Sequence, residues 1–238
     1  MPYLLPICLF GAVVGFTLGA KILVLGLDCK EGTFSWGLSF LWFGAMNVVA
    51  LFAHCFTTPH SALWAELWAC DVVFTSCSAL SAAMGFAANM HFLDDRKPSG
   101  HAVLLGGAVA IIFAGATLQP LSGWEYQFAF EQLYLQAIVV AVGAGLLRLT
   151  TLIYSLSTPT CQPVALVTLT SATLVLVTTV VMCCAERWLL GVAGELLSAP
   201  VVMFLGCDLI FILLYFHFEG SLGSPAYHEI EILDKKSQ

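Results

Sequence analysis

The stretch LSAPVVMFLGCDLIFILLYFHF, residues 197–218, decides the fold class of this chain. It is an uninterrupted apolar run in which Asp208 is the single acidic residue. A helix rises about 1.5 Å per residue, so a run of this length crosses the roughly 30 Å hydrocarbon core of a bilayer. A strand of a membrane barrel would alternate apolar and polar residues, and this stretch does not. It therefore predicts a transmembrane helix.

The composition of the whole chain points the same way. Of its 238 residues, 60% are hydrophobic and 10% are charged, and the mean hydropathy is +0.93. Soluble domains carry about 25% charged residues, so a soluble enzyme, a disordered chain and a collagen-like repeat are excluded. Eight Lys and Arg against fifteen Asp and Glu leave no basic surface for nucleic acid. The predicted class is a polytopic membrane protein whose first partner is the lipid bilayer.

Six further apolar runs precede residues 197–218, and polar turns separate them. We predict an all-α fold, a bundle of seven transmembrane helices. The fourth run is short and rich in glycine. If it does not cross the membrane, the predicted side of every later loop is reversed. The predicted spans are 3–27, 34–56, 63–90, 102–118, 128–156, 164–184 and 197–218.

Basic residues set the predicted orientation, because Lys and Arg concentrate in cytoplasmic loops. Lys30 and the pair Arg96–Lys97 lie in the first and third loops, on the same side as Lys235–Lys236 near the C-terminus. The other side carries only Arg187. The N-terminus is therefore predicted to lie outside and the C-terminus in the cytosol.

Residues 1–218 form the predicted seven-helix transmembrane domain, and residues 219–238 a flexible cytosolic tail with no apolar periodicity. Within the tail, Tyr227 and Ile230 have the spacing of an adaptor-read sorting signal, and the alternative is a merely solvated tail. The chain is expected in the plasma membrane or in an endolysosomal or secretory-pathway membrane.

Polar residues inside the predicted spans are the best indication of function. An ionisable residue there costs about 2.5–3.5 kcal/mol on an insertion scale unless it faces protein or water. Asp71 lies in the third predicted helix and Asp208 in the seventh, and Asn47 falls at comparable depth in the second. We expect these three residues to line one polar chamber that binds a small solute or ion. His54 and Glu66 are expected toward its outer mouth.

A short internal similarity relates the third helix to the seventh. Residues 70–74 read CDVVF and residues 207–211 read CDLIF. This match predicts a 3+1+3 arrangement of parallel repeats, whose pseudo-twofold axis would bring Asp71 and Asp208 together. Two carboxylates so close together would repel each other, so one of them would hold a proton near neutral pH. A proton- or cation-coupled carrier requires this behaviour.

A structural role is the alternative for these carboxylates: each would have a private partner, such as Arg148 or the hydroxyls of Thr75 and Ser78, and would only stabilise the bundle. A non-transporting accessory subunit or receptor is a separate alternative to a carrier or channel.

Glycine recurs at every fourth residue of the first helix, at Gly11, Gly15 and Gly19. Such a stripe lets another helix backbone approach closely. The neighbour is either a helix of the same bundle or a partner membrane protein.

Seven helices, an outside N-terminus and a 3+1+3 repeat resemble the SWEET and PQ-loop transporters over nearly the whole chain. The resemblance is architectural, and likeness of fold alone does not give a function. The Pro-Gln dipeptide of the PQ-loop group is absent, and the chain has the reverse order at Gln119–Pro120 and Gln162–Pro163.

A second comparison is with the CREST group of seven-helix, metal-dependent lipid hydrolases. His54 followed by Asp71, with His217 late in the chain, resembles part of the CREST pattern and would imply an intramembrane hydrolase. The pattern is incomplete, because Leu213 occupies the position of the first late His and Ala50 the position of the Ser. His54 and His217 are also predicted at opposite membrane faces.

No other enzyme motif is present: the sequence contains no GxSxG, GxxxxGK[ST], HExxH or GxGxxG. It also has no CxxC or Cys/His spacing typical of a zinc site. We therefore expect no catalytic residues, metal or cofactor.

Overall fold

A computed structural model describes residues 3–25, 32–58, 61–93, 95, 100–103, 106–111, 123–157, 162–193 and 197–222. Within these ranges the regular structure is helical. The long helices are α1 Leu4–Leu25, α2 Thr33–Cys55, α3 Ala62–Asn89, α5 Gly123–Tyr154, α6 Pro163–Cys184 and α8 Ala199–Leu222. Two shorter helices are α4 Gly100–Ile111 and α7 Glu186–Ala193.

Six of the helices in the described part are long and apolar enough to cross a membrane. Many of their outward side chains are large and apolar, as lipid-facing positions require, with Val13 61% exposed and Val139 61% exposed. The chain is accordingly a multi-pass, helical integral membrane protein.

The six long helices form a ring. In order around it, α1 packs on α2, α2 on α3, α3 on α5, and α6 on α8, while α8 returns to α1. The helices α5 and α6 touch more sparsely. Aromatic side chains fill much of the interior, including Trp36, Phe40, Phe86 and Phe218.

Helix directions follow from residue contacts. Gly11 lies beside Asp208, and Lys21 Nζ donates a hydrogen bond of 3.2 Å to Glu219 Oε1, so α1 and α8 are parallel. Gly19 lies beside Gly37, so α2 is antiparallel to α1.

The helix α3 is antiparallel to α2 in turn. Trp36 Nε1 donates to Asn89 Oδ1 at 2.8 Å, near one end of the pair, and Trp42 stacks on Phe74 farther along. We call the end at which α2 begins, and at which α1, α3 and α8 finish, the Trp36 end. The opposite end is the His54 end.

The start of α2 is held by a residue from the segment after α3. The Asp95 carboxylate is fully buried and accepts the backbone N–H of Gly32 at 2.8 Å and of Ser35 at 2.9 Å. It also accepts the Ser35 hydroxyl at 2.9 Å. These bonds satisfy N–H groups that have no partner inside the helix. Gly32 itself has φ +83, which only glycine adopts readily.

The predicted spans agree with the long helices, with differences at three places. The fourth prediction, 102–118, meets the short helix α4, and residues 112–118 lie outside the described residues. The predicted tail begins at 219, whereas α8 continues to Leu222, and Tyr227 and Ile230 lie outside the described part. The helix α7 was not predicted, because its eight residues are too few to give a span signal.

Candidate functional site

Three helices meet at one buried polar point. An ideal Cβ atom placed on Gly11 would lie 2.5 Å from Asn47 Oδ1 and closer still to Asp208 Oδ1. Because both oxygens lie within 2.5 Å of this one position, they are at most 5 Å apart. Gly11 belongs to α1, Asn47 to α2 and Asp208 to α8, and the last two side chains are 0% exposed. We call this arrangement the Asn47–Asp208 site.

Three oxygens of this site lack a hydrogen-bond partner among the described residues: Asp208 Oδ1, Asp208 Oδ2 and Asn47 Oδ1. The amide group of Asn47 is held from its other side, where Nδ2 donates to the Phe43 carbonyl at 3.1 Å. An unpartnered buried oxygen is costly, and each of these three can accept a hydrogen bond or contact a cation.

Apolar side chains enclose the site on both sides along the bundle. Toward the Trp36 end, Phe43 stacks on Phe211, with ring centroids 3.8 Å apart. Toward the His54 end, Cys8 and Phe204 belong to the same buried cluster as Phe43. Such surroundings have a low effective dielectric constant, which strengthens any electrostatic interaction at Asp208.

Depth along the helices places the site well inside the bundle. Counted at about 1.5 Å per residue, Gly11, Asn47 and Asp208 lie roughly 10–14 Å from the helix ends at the His54 end. Asn47 and Asp208 thus share a depth.

Asp71 differs from Asp208. It is partly exposed, and the Thr75 hydroxyl donates to its backbone carbonyl at 2.8 Å and lies 3.4 Å from its Oδ1. It lies in the same region, because the thiols of Cys8 and Cys207 are within electrostatic range of both Asp71 and Asp208. Asp71 thus has a local hydroxyl partner, which Asp208 lacks.

His54 and Glu66 lie toward the His54 end. His54 is partly buried and packs its ring edge against Phe204, with centroids 5.9 Å apart. Glu66 is exposed on α3. Among the described residues no hydrogen bond joins either side chain to Asp208.

The two histidines of the hydrolase comparison lie at opposite ends. His217 is fully buried at the Trp36 end, where its Nδ1 lies 2.9 Å from the Ala165 carbonyl oxygen and its ring packs against Trp36. Within the described part of the chain, no group of three His, Cys, Asp or Glu could hold a metal ion. The ligand set of a CREST-type site is therefore not assembled by these residues.

Arg148 also lies at the Trp36 end, where Nη2 donates to Gln162 Oε1 at 2.6 Å and lies 3.4 Å from Ser221 Oγ. Ser221 lies more than three helical turns beyond Asp208 on α8. Arg148 is therefore too far from Asp208 to be its ion-pair partner.

The glycine stripe of α1 faces α2. An ideal Cβ on Gly15 would lie 2.5 Å from the backbone nitrogen of Gly44, and one on Gly19 would lie 3.1 Å from the Gly37 carbonyl. The surface offered by Gly11, Gly15 and Gly19 is therefore occupied inside the bundle.

The sequence analysis places Gly11 in a packing stripe and does not connect it with the polar residues, although its missing side chain makes room for Asp208 and Asn47. A weak signal is present in the sequence. Gly11 precedes Lys21 by ten residues, close to the eleven by which Asp208 precedes Glu219 on the parallel helix.

Comparison with protein-family models, with curated proteins and with solved structures finds no match to this chain. The functional argument therefore rests on the geometry of the site.

Proposed function

We propose that this protein is a carrier or channel for a small solute or ion, with the Asn47–Asp208 site as its central binding point. The observation that carries the proposal is the fully buried Asp208 carboxyl group, whose two oxygens have no partner in the part of the chain that the structure describes. Ionisable residues at such positions in membrane proteins commonly mark ion or substrate pathways.

The route to the site is proposed to open at the His54 end. Asp71 supplies a second carboxylate in the same region, and His54 and Glu66 lie nearer the surface. On the His54 side, Cys8, Phe204 and the backbone of Gly11 close the site in this structure. We propose that movement of α1 relative to α2 and α8 exposes it.

Seven spans are supported by the direction of α5. Phe86, late in α3, lies 3.4 Å from the position of a Cβ on Gly145, late in α5. Asp71, earlier in α3, is within electrostatic range of Tyr134, earlier in α5. The two helices are thus parallel, so the chain between them has to return from the Trp36 end to the His54 end. This argument favours a fourth crossing that includes α4.

The proposed orientation places the Trp36 end in the cytosol. The basic residues Lys21 and Arg148 lie at that end of their helices, as the preference of Lys and Arg for the cytoplasmic side requires.

The proposed 3+1+3 repeat has partial support. In this repeat, α1, α2 and α3 correspond to α5, α6 and α8. The contact between α3 and α5 then corresponds to the contact between α8 and α1, and both contacts are present. The pair α2–α3 corresponds to the pair α6–α8, and both pairs pack closely. The two halves differ in one pair, because α1 packs far more closely on α2 than α5 packs on α6.

The test is ion and solute flux into liposomes that contain the purified protein. We expect Asp208→Asn to abolish the flux and Asn47→Ala to reduce it at least tenfold. Cys70→Ala is the matched control, since Cys70 is exposed on α3, and its flux should equal that of the wild type. A folded Asp208→Asn protein with unchanged flux would refute the proposal.

A further inference from the structure

The ligand class of the Asn47–Asp208 site can be argued further from its hydrogen bonds. Asp208 Oδ1 and Asn47 Oδ1 are both acceptors, both fully buried, and at most 5 Å apart. Two buried acceptors that share so small a volume repel each other, and a hydrogen atom or a cation between them removes the repulsion.

Rotation of the Asn47 amide does not resolve the conflict. Exchanging its oxygen and nitrogen would offer Nδ2 to Asp208, but it would place Oδ1 against the Phe43 carbonyl that now accepts a hydrogen bond. The unpartnered acceptor would move to Phe43, and Asp208 Oδ2 would still have no donor.

The donor set of the site does not favour a metal ion. A hard cation needs about six oxygen ligands, whereas the described residues place three unpartnered side-chain oxygens here. The position of a Cβ on Gly11, which lies within 2.5 Å of both Oδ1 atoms, is closed to an ion because it is about 1.5 Å from the Gly11 Cα atom.

Among the described residues of the helices packed around it, no positive charge faces Asp208. On α1 and α8 the basic residues are Lys21 and His217, and both lie at the Trp36 end. On α2 the basic residue is His54, about two turns from Asn47 and packed on Phe204. The acidic groups of these helices and of α3 add only negative charge. A bridging water would satisfy the two oxygens but would leave the buried charge uncompensated.

We infer that the occupant of the site is a proton, so that Asp208 is a neutral carboxylic acid that donates to Asn47 Oδ1 when α1 covers it. This inference rests on the proposed function for its role in transport and identifies the coupling ion as H⁺. In the cycle, the proton leaves Asp208 when α1 moves and water reaches the carboxylate.

The test is infrared spectroscopy of the purified full-length protein at neutral pH, with ¹³C-labelled aspartate. We expect a C=O band of a protonated carboxylic acid in the wild type, lost in Asp208→Asn and retained in Asp71→Asn. Asn47→Leu should shift this band, because the acid loses its acceptor. Circular dichroism of the same sample checks that the Asp208→Asn protein keeps its helical structure.

The outcomes separate the two proposals. If Asp208→Asn removes only a carboxylate band, or if the acid band appears only after sodium and calcium are removed, the proton assignment is wrong. If the acid band is present but flux does not depend on Asp208, the assignment stands and the transport proposal fails. If flux depends on Asp208 without an acid band, the site binds another ligand.

Discussion

Gly11 is the residue at which the smallest change has the largest expected effect. A methyl group there would overlap Asp208 Oδ1 and Asn47 Oδ1. Overpacking of a well-packed interior costs about 1–3 kcal/mol. We therefore expect Gly11→Ala to lower the free energy of unfolding by that amount in detergent micelles.

Gly143→Ala is the control for this substitution, since a Cβ at Gly143 meets no atom within 4 Å. Alanine is favoured over glycine in a helix by about 0.5–1 kcal/mol, so this variant should be slightly more stable than the wild type. Equal stability of the two variants would mean that α1 does not lie against Asp208 as described.

The sequence predicted part of the site at this scale. Counting residues along apolar runs placed Asn47 and Asp208 at one depth, because helical rise is constant. It could not separate Asp208 from Asp71, since both stand in the same local pattern of Cys, Asp and apolar residues. The difference is made by long-range packing, which closes α1 over one carboxyl and leaves Thr75 beside the other.

At the scale of elements, Asp95 joins the segment after α3 to the start of α2. Its carboxylate accepts three hydrogen bonds, from Gly32 N, Ser35 N and Ser35 Oγ. We expect Asp95→Ala to lower the free energy of unfolding by about 1–3 kcal/mol, because buried donors lose their partner. Thermal or denaturant unfolding in micelles measures the change.

Ser35→Ala removes one of these bonds and leaves the two backbone bonds in place. Its expected loss is about 0.5–1.5 kcal/mol, below that of Asp95→Ala. A larger loss for Ser35→Ala than for Asp95→Ala would contradict the capping role. No local sequence pattern indicates this cap, since Asp95 lies sixty residues beyond Ser35 along the chain.

At the scale of the whole molecule, the apolar runs were sufficient to predict a helical membrane bundle. Each run satisfies its backbone hydrogen bonds internally, so length and hydropathy alone identify it. The ring order of the helices depends on side-chain fit, such as Gly15 against Gly44, and could not be read from the runs.

The topology gives a prediction of its own. We expect the segments before and after the fourth crossing to lie on opposite sides of the membrane. N-glycosylation acceptor sequences inserted after residue 60 or after residue 120 should be modified in cells, and one inserted after residue 97 should not. Modification at both 97 and 120, or at neither, would mean that the chain does not cross between α3 and α5.

Proton flux through Asp208 tests the central claim most directly. Liposomes containing equal amounts of folded wild-type, Asp208→Asn or Asp71→Asn protein would be placed in a pH gradient and their internal pH followed with time. The account predicts dissipation of the gradient by the wild type, no dissipation above the protein-free rate for Asp208→Asn, and residual dissipation for Asp71→Asn. Equal rates for the wild type and Asp208→Asn would contradict it.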